Sequence, residues 1–189
     1  MKKIGLLIEL KEGALKTANF GMITAAVKEG HELFAIMMET GRPGTRKELA
    51  RFGVNHIVTV QMNRPDWHPA RWARAVVTVL KSLDIHTLMG LTSAQGKDLL
   101  PRIAAILDAP LVMDCVHVDI GRQTAKTSQY SGKTMGTFHL TGETVLFGMR
   151  PNAIPAVVHP TAHHIVEQVI DVPEDSDLHV LEVVPGEPD

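Results

Sequence analysis

The residues best placed for chemistry are in "TSAQGKDLLPRIAAIL", Thr92 to Leu107. An apolar run leads into small and polar residues, then Gly96-Lys97, then a helical pattern. Strand, glycine turn and helix is an arrangement that holds phosphates, because the first amides of a helix have no intrahelical partner and sit at its positive end. Thr92, Ser93, Gly96, Lys97 and Asp98 are therefore the candidate nucleotide or anion contacts. The same stretch also carries the means to satisfy itself. Proline lacks an N–H and is tolerated in the first helical turn, so Pro101 sets the helix start near Lys97 or Asp98. Asp98 is then placed to cap the free amides, and Arg102 follows it at the i, i+4 spacing of a helical ion pair.

Other signatures fail on spacing. "YSGKTMG" (130–136) ends like a phosphate-binding loop, but Thr127 stands where the first glycine is needed and a strand pattern follows instead of a helix. There is no G-x-G-x-x-G and no G-x-S-x-G. Ten histidines raise the question of a metal. The densest group, His159, His163 and His164 in "HPTAHH", is interrupted by Pro160 and has no carboxylate or cysteine in ligand spacing. No metal site is expected, and no catalytic set. Trp67 and Trp72 read as packing residues at a helix start. Cys115, the single cysteine, lies in the apolar "LVMDCVHV" and reads as a buried packing residue that fits a reducing cytoplasm.

These candidates must be positioned by a regular α/β frame. "KIGLLIEL" (3–10), "HELFAIMME" (31–39), "NHIVTVQM" (55–62) and "HTLMGLTS" (86–93) are short apolar runs of the buried-strand kind. Between them, 14–30, 45–53 and 66–84 have helical spacing, the first two closing on Gly30 and Gly53. Repeated βα units predict a parallel sheet with helices on both faces and a ligand crevice beyond the carboxyl ends of the strands. After Pro110 the pattern changes: "PLVMDCVHVDI", "TAKTSQYSGKTMGTFHL" and "ETVLFGMR" are strands without helices between them, which predicts antiparallel additions. "HIVEQVI" and "LHVLEVV" are candidate edge strands in a tail that ends "PGEPD".

The bulk numbers fit one globular domain: 189 residues, 44% hydrophobic, 21% charged, net charge −2. There is no basic face for nucleic acid and no apolar run long enough to span a membrane. "MKKIGLLIEL" is interrupted by Glu9 and reads as a first strand rather than a leader.

The segment "TSAQGKDLLPRIAAILDAPLVMD" (92–114) resembles the electron transfer flavoprotein alpha subunit, in its N-terminal domain. "KEGALKTANFGMITAAVKEG", "YSGKTMGTF" and "VLFGMRPNAIPA" follow in family order, so the resemblance covers about residues 3–160. It implies a three-layer Rossmann-like fold of the adenine-nucleotide-hydrolase kind, strand order 3-2-1-4-5, as a domain over 1–160, with 161–189 as an extension or linker. It implies pairing with a beta-like subunit, with a homo-oligomer as the fallback. FAD belongs to a C-terminal domain of the complete family protein, which has no counterpart here. No cofactor is therefore expected in this chain, and its role would be a partner-binding scaffold in electron transfer, located in the cytoplasm. The alternative is a stand-alone adenine-nucleotide module, with AMP held at Thr92–Asp98.

Overall fold

The computed structural model describes residues 2–27, 31–62, 67–160, 165–172 and 181–182. The elements in chain order are β1 (Lys3–Ile8), β2 (Leu10–Lys11), β3 (Ala14–Leu15), α1 (Ala18–Val27), β4 (Glu32–Met37), α2 (Thr45–Arg51), β5 (His56–Gln61), α3 (Pro69–Leu83), β6 (Thr87–Leu91) and α4 (Ala94–Leu107). There follow β7 (Leu111–Asp119), β8 (Thr124–Gln129), β9 (Thr134–His139), β10 (Val145–Met149) and β11 (Val166–Asp171).

All but β2 and β3 form one sheet in the order β11-β5-β4-β1-β6-β10-β7-β8-β9. Side chains alternate across it, as the pleat requires. Ile4, Leu6 and Ile8 of β1, with Val145, Phe147 and Met149 of β10, pack against Phe20, Met22 and Ile23 of α1 and Leu49 of α2. Leu7, Phe34, Ile36, Leu88 and Leu146 point the other way, onto Trp72, Val76 and Leu80 of α3 and Leu99, Leu100 and Ile103 of α4. The result is the expected three-layer Rossmann-like α/β fold. No helix of the described residues is long and apolar enough to cross a membrane.

The order differs from expectation in one place. β5-β4-β1-β6 is the 3-2-1-4 arrangement, but the next place is taken by β10, not by β7, the following long strand in sequence. β10 is parallel to both β6 and β7. The antiparallel character predicted after residue 110 therefore holds for the β7-β8-β9 meander and not for β10. The reason is burial. All of "VLFGM" is buried, as a strand covered by helices on both faces demands, whereas "TMGTFH" is exposed along almost its whole length and takes the edge. "HIVEQVI" does form an edge strand, β11, parallel to β5. "LHVLEVV" lies largely outside the described residues, as do His163 and His164.

Two helix starts move. α1 begins at Ala18 rather than near residue 14, because residues 10–15 form the small β2-β3 hairpin. α4 begins at Ala94, with Ser93 as N-cap, rather than at Lys97 or Asp98. Asp98 is not the cap, and Pro101 lies inside the helix. α3 meets expectation, with Pro69 in its first turn and the His68 Nδ1 accepting from Arg71 N at 3.2 Å. Trp67 and Trp72 pack edge to face at 4.9 Å.

Candidate functional site

The carboxyl ends of β1, β6 and β10 and the middle of β7 meet where the sheet changes direction, the place where open α/β sheets bind ligands. Glu9 follows β1 directly and is 5% exposed. Its Oε2 is 2.7 Å from Lys16 Nζ. Its Oε1 accepts from Ser93 Oγ at 2.5 Å. The β1–α1 loop is folded back to make this possible. Asn19, fully buried, donates from Nδ2 to the carbonyls of Glu9 (2.7 Å) and Lys16 (2.9 Å), and its Oδ1 accepts from Glu9 N.

Ser93 works in both directions. Its hydroxyl donates to Glu9 and accepts from Gly96 N at 3.0 Å. Its carbonyl accepts from Lys97 N at 2.9 Å. The N-cap thus links the helix amide to a buried carboxylate. Gly96 is there for packing. A Cβ at that position would lie 1.7 Å from the carbonyl oxygen of Leu91 and 3.6 Å from Glu9 Oε1. Only a bare α-carbon lets the first turn of α4 sit this close to the end of β6.

Thr92 is buried and ties β6 to its neighbours. Its N–H donates to the Met149 carbonyl at 2.7 Å, and its Oγ1 accepts from Asp114 N at 3.1 Å. Asp114 sits at a bulge in β7 with φ of 61°, a left-handed conformation that aspartate tolerates better than most residues. Its carboxylate receives Nε of Arg150 at 3.1 Å on both oxygens and Nη2 at 2.5 Å. The same Nη2 donates to Ser128 Oγ. The Arg150 guanidinium holds the Asp114 carboxyl below the ordinary carboxylate range, mainly by hydrogen bonding; partial burial opposes this, and the charges of Arg150 and Lys97 add to it. Next to it, Cys115 is fully buried, and burial pushes its thiol up to about 12, with the Asp114 charge acting the same way.

Of the sequence candidates, Thr92, Ser93 and Gly96 converge on this crevice with their polar groups bonded to the protein itself. Lys97 is exposed at its rim. Asp98 is turned to the helix face, where its Oδ1 accepts from Arg102 Nε at 2.9 Å, the ion pair the spacing predicted. Glu9, Asp114 and Arg150 were missed. The available signal was a charged residue at the end of, or inside, an otherwise apolar strand: Glu9 after "KIGLLI", Asp114 in "LVMDCV" and Arg150 after "VLFGM". Among the described residues, no three histidines, cysteines or carboxylates gather as metal ligands.

A phosphate group asks for free amides at the helix start and open space over the glycine. Here the amide of Gly96 is bonded to Ser93, the space is filled by the Leu91 carbonyl, and the Glu9 carboxylate already stands beside the turn. The charge of Glu9 opposes a second anion at this turn.

Fold and crevice define a doubly wound, three-layer α/β domain whose switch-point crevice holds the internally bonded carboxylates of Glu9 and Asp114. The chain belongs to the electron transfer flavoprotein domain family, whose model matches residues 4–175. It is 24% identical over 176 residues to the electron transfer flavoprotein subunit alpha of Bacillus subtilis, covering 90% of this chain and 54% of that protein. It is 22% identical over 149 residues to the subunit alpha of Syntrophomonas wolfei, covering 77% and 47%. A probable mitochondrial subunit alpha of Cryptococcus neoformans is 27% identical over 138 residues, covering 70% and 39%. The chain thus spans about half the length, or less, of these relatives.

Proposed function

We propose that this chain is the partner-binding scaffold of an electron transfer flavoprotein of the alpha-subunit type, holding no flavin of its own. It supports the flavin-bearing part of the complex and does not itself carry electrons. The observation that carries this reading is the inward commitment of the crevice: the Gly96 amide donates to the Ser93 hydroxyl, that hydroxyl donates to Glu9, and the Leu91 carbonyl occupies the space over the glycine. The names of the relatives, subunits alpha, support a beta-type subunit as the partner. The buried, lone Cys115 agrees with a reducing compartment, and we place the chain in the cytoplasm.

The test is co-expression with a beta-type subunit, followed by purification on a tag carried by this chain alone. The expected result is that the chain expressed alone is colourless and that the tagged chain retains the beta-type subunit when the two are co-expressed. A flavin absorbance band in the isolated chain would overturn the flavin-free role, and absence of the second subunit would overturn the partner. A second reading, AMP held by Thr92, Ser93, Gly96, Lys97 and Asp98, is favoured by the exposed Lys97 amine at the rim, whose charge reaches Asp114. Calorimetric titration with AMP separates the two: heat of binding lost in Lys97→Ala supports AMP, and no heat at millimolar AMP removes it.

A further inference from the structure

A cavity of about 420 Å³ lies between α2 and the β5–β11 edge of the sheet, beneath the loop that leaves β4. Pockets of this size hold small ligands. Its floor is apolar, from Met37 of β4 and Ile57 of β5. Its polar lining comes from Thr40 and Arg42 of the β4–α2 loop, Thr45 and Arg46 of α2, Thr59 of β5 and Glu167 of β11. β5 stands three places from β6 in the sheet, about 14 Å at the usual strand spacing, so this cavity is separate from the crevice at Ser93.

Thr45 is 8% exposed, yet its hydroxyl has no hydrogen-bond partner among the described residues. A hydroxyl buried to that extent is ordinarily bonded to protein, to water or to a ligand. A Cβ at Gly41 would lie 2.6 Å from Thr45 Oγ1, so the bare α-carbon of Gly41 is what leaves that oxygen uncovered. The hydroxyls of Thr40 and Thr59 are likewise without a partner among the described residues. A loop, a helix start and a strand thus bring three uncommitted hydroxyls to one cavity. The two arginines differ. Arg46 is held, with Nε 3.0 Å from Glu167 Oε1 and Nη2 donating to the Ile165 carbonyl at 3.4 Å. Arg42 Nη2 stands 3.7 Å from Glu12 Oε2, and the two side chains are 59% and 80% exposed. Such a pair contributes little, and a doubly charged anion competes well for the guanidinium.

We infer that this cavity is a binding site for a small sugar or polyol phosphate. Arg42 holds the phosphate, Thr40, Thr45 and Thr59 bond the ligand hydroxyls, and the Arg46–Glu167 pair is the fixed wall of the site. Arginine suits phosphate because its planar fork matches two phosphate oxygens at once. Threonine hydroxyls suit a polyol because each both donates and accepts. A neutral polyol would leave Arg42 unused, and inorganic phosphate would leave the three hydroxyls unused. A compound carrying both groups uses the whole lining.

The test is calorimetric titration of the full chain with glucose 6-phosphate and glycerol 3-phosphate, beside glucose, glycerol and inorganic phosphate. At least one of the two esters should bind, about tenfold or more tighter than its parent alcohol and than inorganic phosphate. That binding should weaken about tenfold in Arg42→Gln and in Thr59→Val, each of which removes one ligand contact. Arg42 is exposed, and valine keeps the volume of Thr59, so both variants should fold; far-ultraviolet circular dichroism checks that, and Thr40→Val, at an exposed position, replaces Thr59→Val if it does not. No heat with either ester at about 10 mM, affinity no better than that of inorganic phosphate, or equal affinity in wild type and the variants would each overturn the site. Binding lost in Lys97→Ala and kept in Arg42→Gln would overturn it too, by placing the ligand in the crevice. None of these outcomes depends on flavin or on a beta-type subunit, so the scaffold reading is tested separately.

Discussion

Ser93 and Glu9, 84 residues apart in sequence, are joined by a 2.5 Å hydrogen bond from hydroxyl to carboxylate. The bond places an internal anion at the start of α4. A helix start is a weaker site for external anions when a carboxylate of the same chain stands beside it, since like charges repel. Each partner in that arrangement can be tested.

Glu9→Ala leaves the Ser93 hydroxyl and the Lys16 ammonium without their acceptor, and should lower stability by about 2 kcal/mol. Glu9→Gln keeps one acceptor oxygen, for Ser93 or for Lys16 but not for both, and loses the charge, so its stability should fall between those of wild type and Glu9→Ala. Urea unfolding measures the difference. The same Glu9→Ala variant should bind inorganic phosphate more tightly than wild type by calorimetry, because the resident anion is gone. Equal, undetectable binding in both would remove Glu9 as the group that closes the turn.

Gly96→Ala should be among the most damaging single-methyl changes in the chain. Its Cβ would meet a backbone oxygen at 1.7 Å, and neither β6 nor α4 can move without breaking the core. A loss of about 3 kcal/mol is expected despite alanine's better helix propensity. Gly148→Ala is the control: its nearest obstacle is the flexible Met113 sulfur, at 2.6 Å, and a loss of about 1 kcal/mol is expected. Denaturant midpoints with unchanged slopes would rank them, and a milder effect at Gly96 would contradict the packing described.

The Asp114–Arg150 pair should show in the pH dependence of stability. The native carboxyl titrates below its ordinary value, so the unfolded state binds the proton first as pH falls. Its contribution is present above about pH 4 and is lost as pH drops through the lowered native value. Asp114→Asn keeps the left-handed backbone conformation and removes the charge. The stability gap between wild type and this variant should close between about pH 5 and pH 2, and should narrow with added salt because both side chains are partly exposed. A gap that is constant across that range would exclude the charge as its source.

Cys115 should be inert in the native state. A fully buried thiol with its ionisation pushed up to about 12 offers neither access nor thiolate. Labelling by a thiol reagent at pH 8 should be slower by at least a hundredfold in native protein than in urea. Because the unfolded thiol ionises near its ordinary value and the native one does not, this group's stabilising effect is complete below about pH 8 and declines as pH rises from there toward 12.

Much of the frame was legible in the chain. The apolar runs of β1, β4, β5 and β6, and the glycine stop after α2, mark the βα units because a strand buried on both faces must be apolar throughout. The insertion of β10 between β6 and β7 was not read, although its signal was there: five consecutive buried residues in "VLFGM" against the alternating, exposed "TMGTFH". Pro101 misplaced the start of α4. Its rule is a local one, and tertiary packing of Leu99, Leu100 and Ile103 under the sheet overrode the local cost of an interior proline.

By itself, the sequence determined the layers, the crevice end of the sheet and the Asp98–Arg102 pair, because each follows from periodicity within a few residues. Only the tertiary structure decided what fills the crevice. Glu9, Ser93 and Arg150 follow the ends of β1, β6 and β10, Asp114 lies within β7, and none is close to the next in sequence. Their meeting depends on which strands lie side by side, and sequence spacing carries no record of that order.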